Sequence, residues 1–82
     1  MESRIALIGV VVSNDASVER MNAILHEYNQ YIVGRMGIPY RKCSVSVISI
    51  VIDAPVQVIS ALSGKLGMLE GVSSKTVYAK TE

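Results

Sequence analysis

Residues 44–69 read SVSVISIVIDAPVQVISALSGKLGML and decide the fold. The run from Ser44 to Ile52 is rich in β-branched residues and predicts a strand. We expect Asp53-Ala54-Pro55 to begin a helix, because a proline in the first helical turn loses no hydrogen bond. Gly67 or Gly71 is expected to end that helix. Its apolar stripe consists of Val58, Ile59, Leu62, Leu66 and Leu69.

A similar strand and helix come first in the chain. Ile5 to Val12 is another β-branched run and predicts the first strand. Ser13 to Ser17 follows and is rich in turn and N-cap residues. An amphipathic helix is predicted next, with Glu19, Asn22, His26 and Asn29 on its polar face. Its apolar stripe consists of Val18, Met21, Leu25, Tyr28 and Ile32.

The segment Tyr31 to Arg41 contains Gly34, Gly37 and Pro39 and is the hardest to interpret. Part of it is expected to be an irregular strand in hairpin contact with the next strand, and a loop is the alternative. Val72 to Lys80 predicts a last strand. The predicted order β-α-β-β-α-β defines an α+β, ferredoxin-like (ACT-like) fold. Such a fold has a four-stranded antiparallel sheet with two helices on one face, and residues 1–82 form one domain.

Both faces of the two central predicted strands are apolar. On the first strand, Ile5, Leu7 and Val11 point one way, and Ala6, Ile8, Val10 and Val12 point the other way. On the strand after the glycine-proline segment, Ile48, Ile50 and Ile52 lie opposite Val45, Val47 and Val51. Two helices cover only one face, and leaving the other wet would forgo roughly 1.5–3 kcal/mol per side chain. We therefore expect a second copy of the sheet as cover, in a homo-oligomer that is a dimer or a tetramer.

Composition excludes several classes of function. The chain has 82 residues, a net charge of +1 and 50% hydrophobic residues, so it is neither disordered nor a general nucleic-acid binder. A deep enzyme cleft is difficult to build at this size. The apolar run Ile5 to Val12 is too short for a membrane span and lacks the small-residue cleavage site of a signal peptide. Since the lone Cys43 fits a reducing compartment, we expect a cytoplasmic protein that binds neither membrane nor nucleic acid directly.

Two groups of residues are candidates for binding a small ligand. Asn14 and Asp15 follow the first strand, where a helix N-terminus can hold a polar group or where the side chains cap the helix. The second group surrounds the glycine-proline segment, where two guanidiniums can hold a carboxylate or a phosphate. It consists of Arg35, Gly37, Tyr40 and Arg41.

Other sequence patterns are weaker candidates for a functional site. His26 and Cys43 lack metal-ligand spacing, and no cofactor or catalytic residue is predicted; a metal site that these two residues share between subunits is the alternative. Gly64-Lys65-Leu66-Gly67 matches a phosphate-clamping G-x-x-G loop, but a helix C-terminus capped by Gly67 fits better. The second helix also carries a stripe of small residues, Ser60, Ser63, Gly64 and Gly67. This stripe either allows another backbone or a ligand to approach closely or is an ordinary exposed helix face.

Three segments together resemble a known family. They are 31–41 (YIVGRMGIPYR), 46–55 (SVISIVIDAP) and 61–72 (ALSGKLGMLEGV), and the resemblance extends from Arg4 to Lys80. They are similar to the iron-only hydrogenase system regulators, whose fold resembles ACT domains and the C-terminal domain of the nickel-responsive repressor. The resemblance implies a non-enzymatic regulatory subunit that associates through its sheet.

The resemblance also bears on ligands and partners. ACT domains commonly bind amino acids where two subunits meet, near the loop that corresponds to Ser13–Ala16, which here lacks the glycine of amino-acid-binding versions. With only His26 and Cys43, this chain also lacks the nickel repressor's set of metal ligands. We expect a sensor with a small-molecule effector at the subunit interface. The alternative is a structural module that binds a protein partner and no small ligand.

Overall fold

A computed structural model describes residues 2–80. The chain forms four strands and two α-helices in the predicted β-α-β-β-α-β order. The strands are β1 (Ser3–Val12), β2 (Ile32–Tyr40), β3 (Val45–Pro55) and β4 (Val72–Tyr78). The helices are α1 (Val18–Glu27) and α2 (Val56–Gly67), and short 3-10 turns cover Asp15–Ser17, Asn29–Tyr31 and Arg41–Cys43.

The four strands form one antiparallel sheet in the order β2-β3-β1-β4. This order and the two helices confirm the predicted ferredoxin-like fold. The core lies between the sheet and the helices, and each central strand has one buried and one exposed face, both of which carry large apolar side chains. The buried apolar residues are Ala6, Ile8, Val10, Val12, Met21, Leu25, Ile48, Ile50, Ile52, Ala54, Ile59, Leu62, Leu66 and Val72.

The start of α2 differs from the sequence prediction. The segment Asp53-Ala54-Pro55 ends β3, and the helix begins only at Val56. Pro55 is extended, with φ −59° and ψ 150°, and pairs with Ser3 at the end of the sheet. A proline disfavours helical backbone in the residue before it, so Ala54 stays in the strand.

The end of α1 and the start of β2 also differ in detail. Ile32 is the first residue of β2, although its spacing suggested a place on the helical stripe. The segment Tyr31 to Arg41, for which the sequence allowed either a strand or a loop, is a strand over Ile32–Tyr40. It forms the expected hairpin with β3. Its pairing register shifts between Ile32 and Gly34, a β-bulge that explains its irregular pattern.

The loop after β1 is tied to the loop before β4. Ser13 donates from both its backbone nitrogen (2.8 Å) and its hydroxyl (3.0 Å) to the carbonyl oxygen of Gly71. Gly71 has φ +73°, and a Cβ there would lie 2.6 Å from Cβ of Asn14. The left-handed glycine expected after α2 is therefore Gly71, and Gly67 is the last residue of the helix.

Candidate functional site

The β2–β3 hairpin turns tightly beside the loop that follows β1. Tyr40 ends β2, and a 3-10 turn leads to Ser44, whose left-handed backbone (φ 56°, ψ 40°) allows the chain to reverse. Since Val12 pairs with Ser46, the segment after β1 runs next to the base of this hairpin. The loop after β1 and the β2–β3 turn are therefore close in space, although they are far apart in the sequence.

A cleft of about 340 Å³ opens at this place, and we call it the hairpin cleft. Its volume lies at the small end of the range for ligand sites. It is lined by Asp15, Pro39, Tyr40, Arg41, Ser44, Val45 and Ser46. The structure thus brings together Asp15, Tyr40 and Arg41 from the two groups of sequence candidates.

The chemistry of the hairpin cleft is that of polar binding. The Asp15 carboxylate and the Arg41 guanidinium supply opposite charges on one cleft. The hydroxyls of Tyr40, Ser44 and Ser46 can donate or accept hydrogen bonds. A guanidinium binds carboxylates and phosphates, whereas a carboxylate accepts from ammonium or hydroxyl groups. The serines were not identified from the sequence, because only the turn geometry brings them to this position.

The remaining sequence candidates lie elsewhere. Oδ1 of Asn14 accepts a 3.0 Å hydrogen bond from the backbone nitrogen of Ala16, which is the capping role weighed from the sequence. Arg35 and Gly37 line a separate, mostly apolar groove of about 280 Å³ between α1 and β2. There Nη2 of Arg35 donates to Oδ1 of Asn22 at 3.2 Å.

His26 and Cys43 are both exposed, on α1 and in the hairpin turn respectively. His26 lines a shallow depression together with Asn22, Asn29 and Arg35. Within residues 2–80, no three His, Cys, Asp or Glu side chains lie close enough to hold a metal ion. Neither helix in that range is long enough to cross a membrane.

Gly64-Lys65-Leu66-Gly67 is the last turn of α2, not a phosphate loop. Nζ of Lys65 lies 3.2 Å from Oε1 of Glu27 and 5.0 Å from the centre of the Tyr28 ring. Hydrogen bonds to Tyr28 and Glu27 raise the pKa of Lys65 above its ordinary value. Lys65 therefore links α2 to the end of α1.

The small residues of α2 divide into two groups. Ser63 faces β4, where it approaches the hydroxyls of Ser74 and Thr76 at 3.3 Å each. A Cβ on Gly67 would lie 3.5 Å from the Ser74 hydroxyl. Ser60 and Gly64 are exposed. The close approach made possible by Ser63 and Gly67 is therefore to the protein's own β4.

The sheet face opposite the helices is exposed and mostly apolar, with Asp53 and Lys75 as charged residues at outward positions, and we call it the outer face. Its large side chains include Ile5, Leu7, Val11, Met36, Ile38, Val47, Val51 and Val77, which are 37–64% exposed. The sequence grouped those of β1 and those of β3 on one face of each strand, without showing which face the helices leave open. It missed Met36 and Ile38 on β2 and Val77 on β4, although the two-residue spacing of Met36 and Ile38 was a signal.

The fold defines the class of this protein: a small ferredoxin-like α+β protein with an apolar outer face. The chain belongs to the family described as "TM1266-like: Iron-only hydrogenase system regulator, putative", whose sequence model matches residues 4–76. The resemblance identified from three segments of the sequence is thus confirmed.

Solved structures agree with this assignment. The chain is similar to the uncharacterized protein TM1266 from Thermotoga maritima, with 35% sequence identity and a TM-score of 0.93. The similarity covers 96% of this chain and 100% of that chain. No curated protein matches the chain.

Proposed function

We propose that this protein is a non-enzymatic regulatory subunit of an iron-only hydrogenase system that acts as a homo-oligomer assembled through its outer face. The family description supports the regulatory role. The exposed aliphatic outer face carries the proposal of assembly. Monomeric proteins rarely expose apolar patches of more than a few hundred Å², and larger patches mark interaction sites.

Sedimentation analysis of the purified protein tests the assembly. Leu7→Glu places a charge on the outer face, where Leu7 is 43% exposed, so the subunit itself can fold with this side chain. The control is Ser60→Glu, on the exposed side of α2. We expect an oligomer for the natural sequence and for Ser60→Glu, and a folded monomer for Leu7→Glu. A natural protein that stays monomeric at micromolar concentrations contradicts the proposal.

The hairpin cleft supports a second proposal, that the oligomer binds a small polar effector. Its acidic and basic side chains and three hydroxyls fit a ligand with an anionic group and a hydrogen-bond donor. The hairpin cleft is open to solvent, so a ligand in it would be better enclosed by a second subunit. Tyr40, which lines the cleft, lies at the end of β2 next to the outer face. A second subunit on that face would lie close to the ligand.

A thermal-shift screen with carboxylic acids, amino acids and phosphorylated metabolites tests the effector. A ligand at a hundred times its dissociation constant adds about 2.7 kcal/mol of stability. For a domain of this size that is a shift of roughly 10–20 °C. Asp15→Asn and Arg41→Gln should abolish the ligand-induced shift. Asn29→Gln, in the turn after α1 and outside the hairpin cleft, is the control and should retain the shift.

Unchanged melting curves across the panel would favour the alternative, a structural module that binds a protein partner without a small ligand. A pulldown with the natural protein and with the Leu7→Glu variant then tests that alternative. A hydrogenase-system protein retained by both forms would place the partner site away from the outer face.

A further inference from the structure

Gly9 lies in the middle of the central strand β1 and has no local reason to be glycine. Its φ is not in the left-handed region, since Gly71 has the only positive φ among the described glycines. The nearest atom to a Cβ built on Gly9 is the backbone oxygen of Lys75, at 4.0 Å. Glycine within a strand costs roughly 0.5–1 kcal/mol relative to alanine. Such a glycine often marks close approach of another backbone or a ligand.

Gly9 forms a shallow dip in the outer face. It pairs with Ser49 on β3 and with Lys75 on β4, and Ser49 pairs in turn with Met36 on β2. The centre of this row of four residues is therefore low. The rows on either side are higher and aliphatic at their centre: Val11 pairs with Val47, and Leu7 pairs with Val51.

We infer that a second copy packs its outer face on this one about a two-fold axis that runs along the strands, so that Gly9 of each copy lies over Ser49 of the other. The inference rests on the proposed assembly through the outer face and gives that assembly its geometry. A two-fold interface joins one patch to itself, so the dip of one copy meets the dip of the other. The two backbones approach most closely there.

The charge of Lys75 selects this axis. Sheets pack face to face with their strands either nearly aligned or nearly orthogonal, and the aligned class permits a two-fold axis along the strands or across them. An axis across the strands would place Lys75 over Lys75 of the second copy, and like charges in contact are costly. An axis along the strands places β2 over β4 of the second copy, so Lys75 meets Met36 instead. The aliphatic stem of Lys75 can pack on that thioether side chain.

The same axis matches side chains of complementary shape. Val11 meets Val47 of the second copy, and Leu7 meets Val51. The large Ile38, which is 55% exposed at the edge strand, lies over the small Ser73, because Ser73 and Val11 pair in the same row. The outer-face side chains offer on the order of 700 Å² per copy at their exposed fractions, close to the ~800 Å² that each partner gives a standard interface.

Cross-linking of single-cysteine variants tests the axis. In a Cys43→Ser background, M36C and K75C subunits are mixed at equal concentration and treated with a short bis-maleimide. Within one subunit these positions are separated by three strand spacings, roughly 14 Å. We expect cross-linked dimers in the mixture, each containing one subunit of either kind, and almost none from either variant alone. A strong cross-link with K75C alone would show the axis across the strands and overturn the inference.

Filling the dip tests its role independently. Gly9→Leu leaves the subunit free to fold, since space is open above the strand, but it separates the two sheets at their closest point. We expect the dissociation constant of the dimer to rise at least tenfold, while the circular dichroism spectrum is unchanged. Ser60→Leu on α2 is the control of equal bulk and should leave association unchanged.

The two proposals fail in different ways. If Leu7→Glu dissociates the dimer but Gly9→Leu does not, assembly through the outer face stands and the Gly9-centred geometry is wrong. If neither substitution changes association, the outer face is not the interface, and the proposed assembly is wrong as well.

Discussion

The hydroxyl of Ser17 donates a 2.6 Å hydrogen bond to the main-chain carbonyl oxygen of Glu70. Ser17 is the only buried polar residue of the described chain, with 5% exposure. The bond ties the start of α1 to the turn before β4. Ser17→Ala leaves a carbonyl without its partner, so we expect a loss of about 1–3 kcal/mol in the free energy of unfolding.

Thermal unfolding measures this loss as a lower midpoint, by roughly 4–8 °C for each kcal/mol. Ser60→Ala, at an exposed position of α2, should change stability by less than about 0.5 kcal/mol. Equal midpoints for the two variants would mean that water replaces the lost hydrogen bond.

Gly71 and Gly64 should respond to alanine in opposite directions. Gly71→Ala combines a left-handed backbone with a Cβ 2.6 Å from Asn14, so we expect a loss of at least about 2 kcal/mol. Gly64 lies inside α2 with nothing within 4 Å of a Cβ, so alanine there should stabilise the protein by roughly 0.5–1 kcal/mol. Urea unfolding of both variants measures the difference, and destabilisation by Gly64→Ala would contradict the described environment.

Lys65 should make stability depend on alkaline pH. Its pKa is raised in the folded protein by Tyr28 and Glu27, so its contribution is complete below the ordinary lysine pKa. It is lost as the pH rises through the higher folded value. The stability difference between the natural protein and Lys65→Met should therefore shrink above about pH 10.

Urea unfolding between pH 8 and pH 11 measures this difference. Lys42→Met, exposed in the hairpin turn, is the matched control and should show no such trend. A difference that is constant over the whole range would mean that the contacts of Lys65 do not favour its charged form.

Adjacent residues of β3 should differ sharply in their effect on the subunit. Ile50 is fully buried, whereas Val51 is 37% exposed on the outer face. We expect Ile50→Ala to cost about 2–5 kcal/mol at any protein concentration. Val51→Ala should cost about 1 kcal/mol or less in a dilute monomer. Its cost should grow with protein concentration, and equal costs under all conditions would argue against self-association.

The sequence predicted the fold because the patterns of β1, α2 and β3 are strong and local. The two-residue spacing of Ile48, Ile50 and Ile52 placed them on one face of β3, and the structure shows that this face is the buried one. The start of α2 was misplaced because two effects of Pro55 compete. Proline is tolerated in a first helical turn, yet it keeps Ala54 extended, and here the second effect prevails.

The candidate site was less predictable, because it depends on contacts between distant segments. Asp15 and Arg41 were identified in two separate groups, and only the pairing of β1 with β3 brings them to one cleft. Ser44 and Ser46 could not be distinguished from ordinary strand or turn residues. Arg35 was grouped with Arg41 by proximity in sequence, but it lies on the α1 side of β2, where it contacts Asn22.

The position of β1 has a consequence for how fast the chain folds. Ala6 pairs with Ile52 on one side and with Tyr78 on the other, so the sheet closes only after two long loops have formed. Such non-local pairing is slow, often in the range of milliseconds to seconds. Nη2 of Arg4 donates to the carbonyl oxygen of Ala79 at 3.2 Å, so the two ends of the fold are adjacent. Joining these ends and opening the chain in the Asn29–Tyr31 turn would make β4 and β1 neighbours in sequence while β2 stays next to β3, so this circular permutant should refold faster.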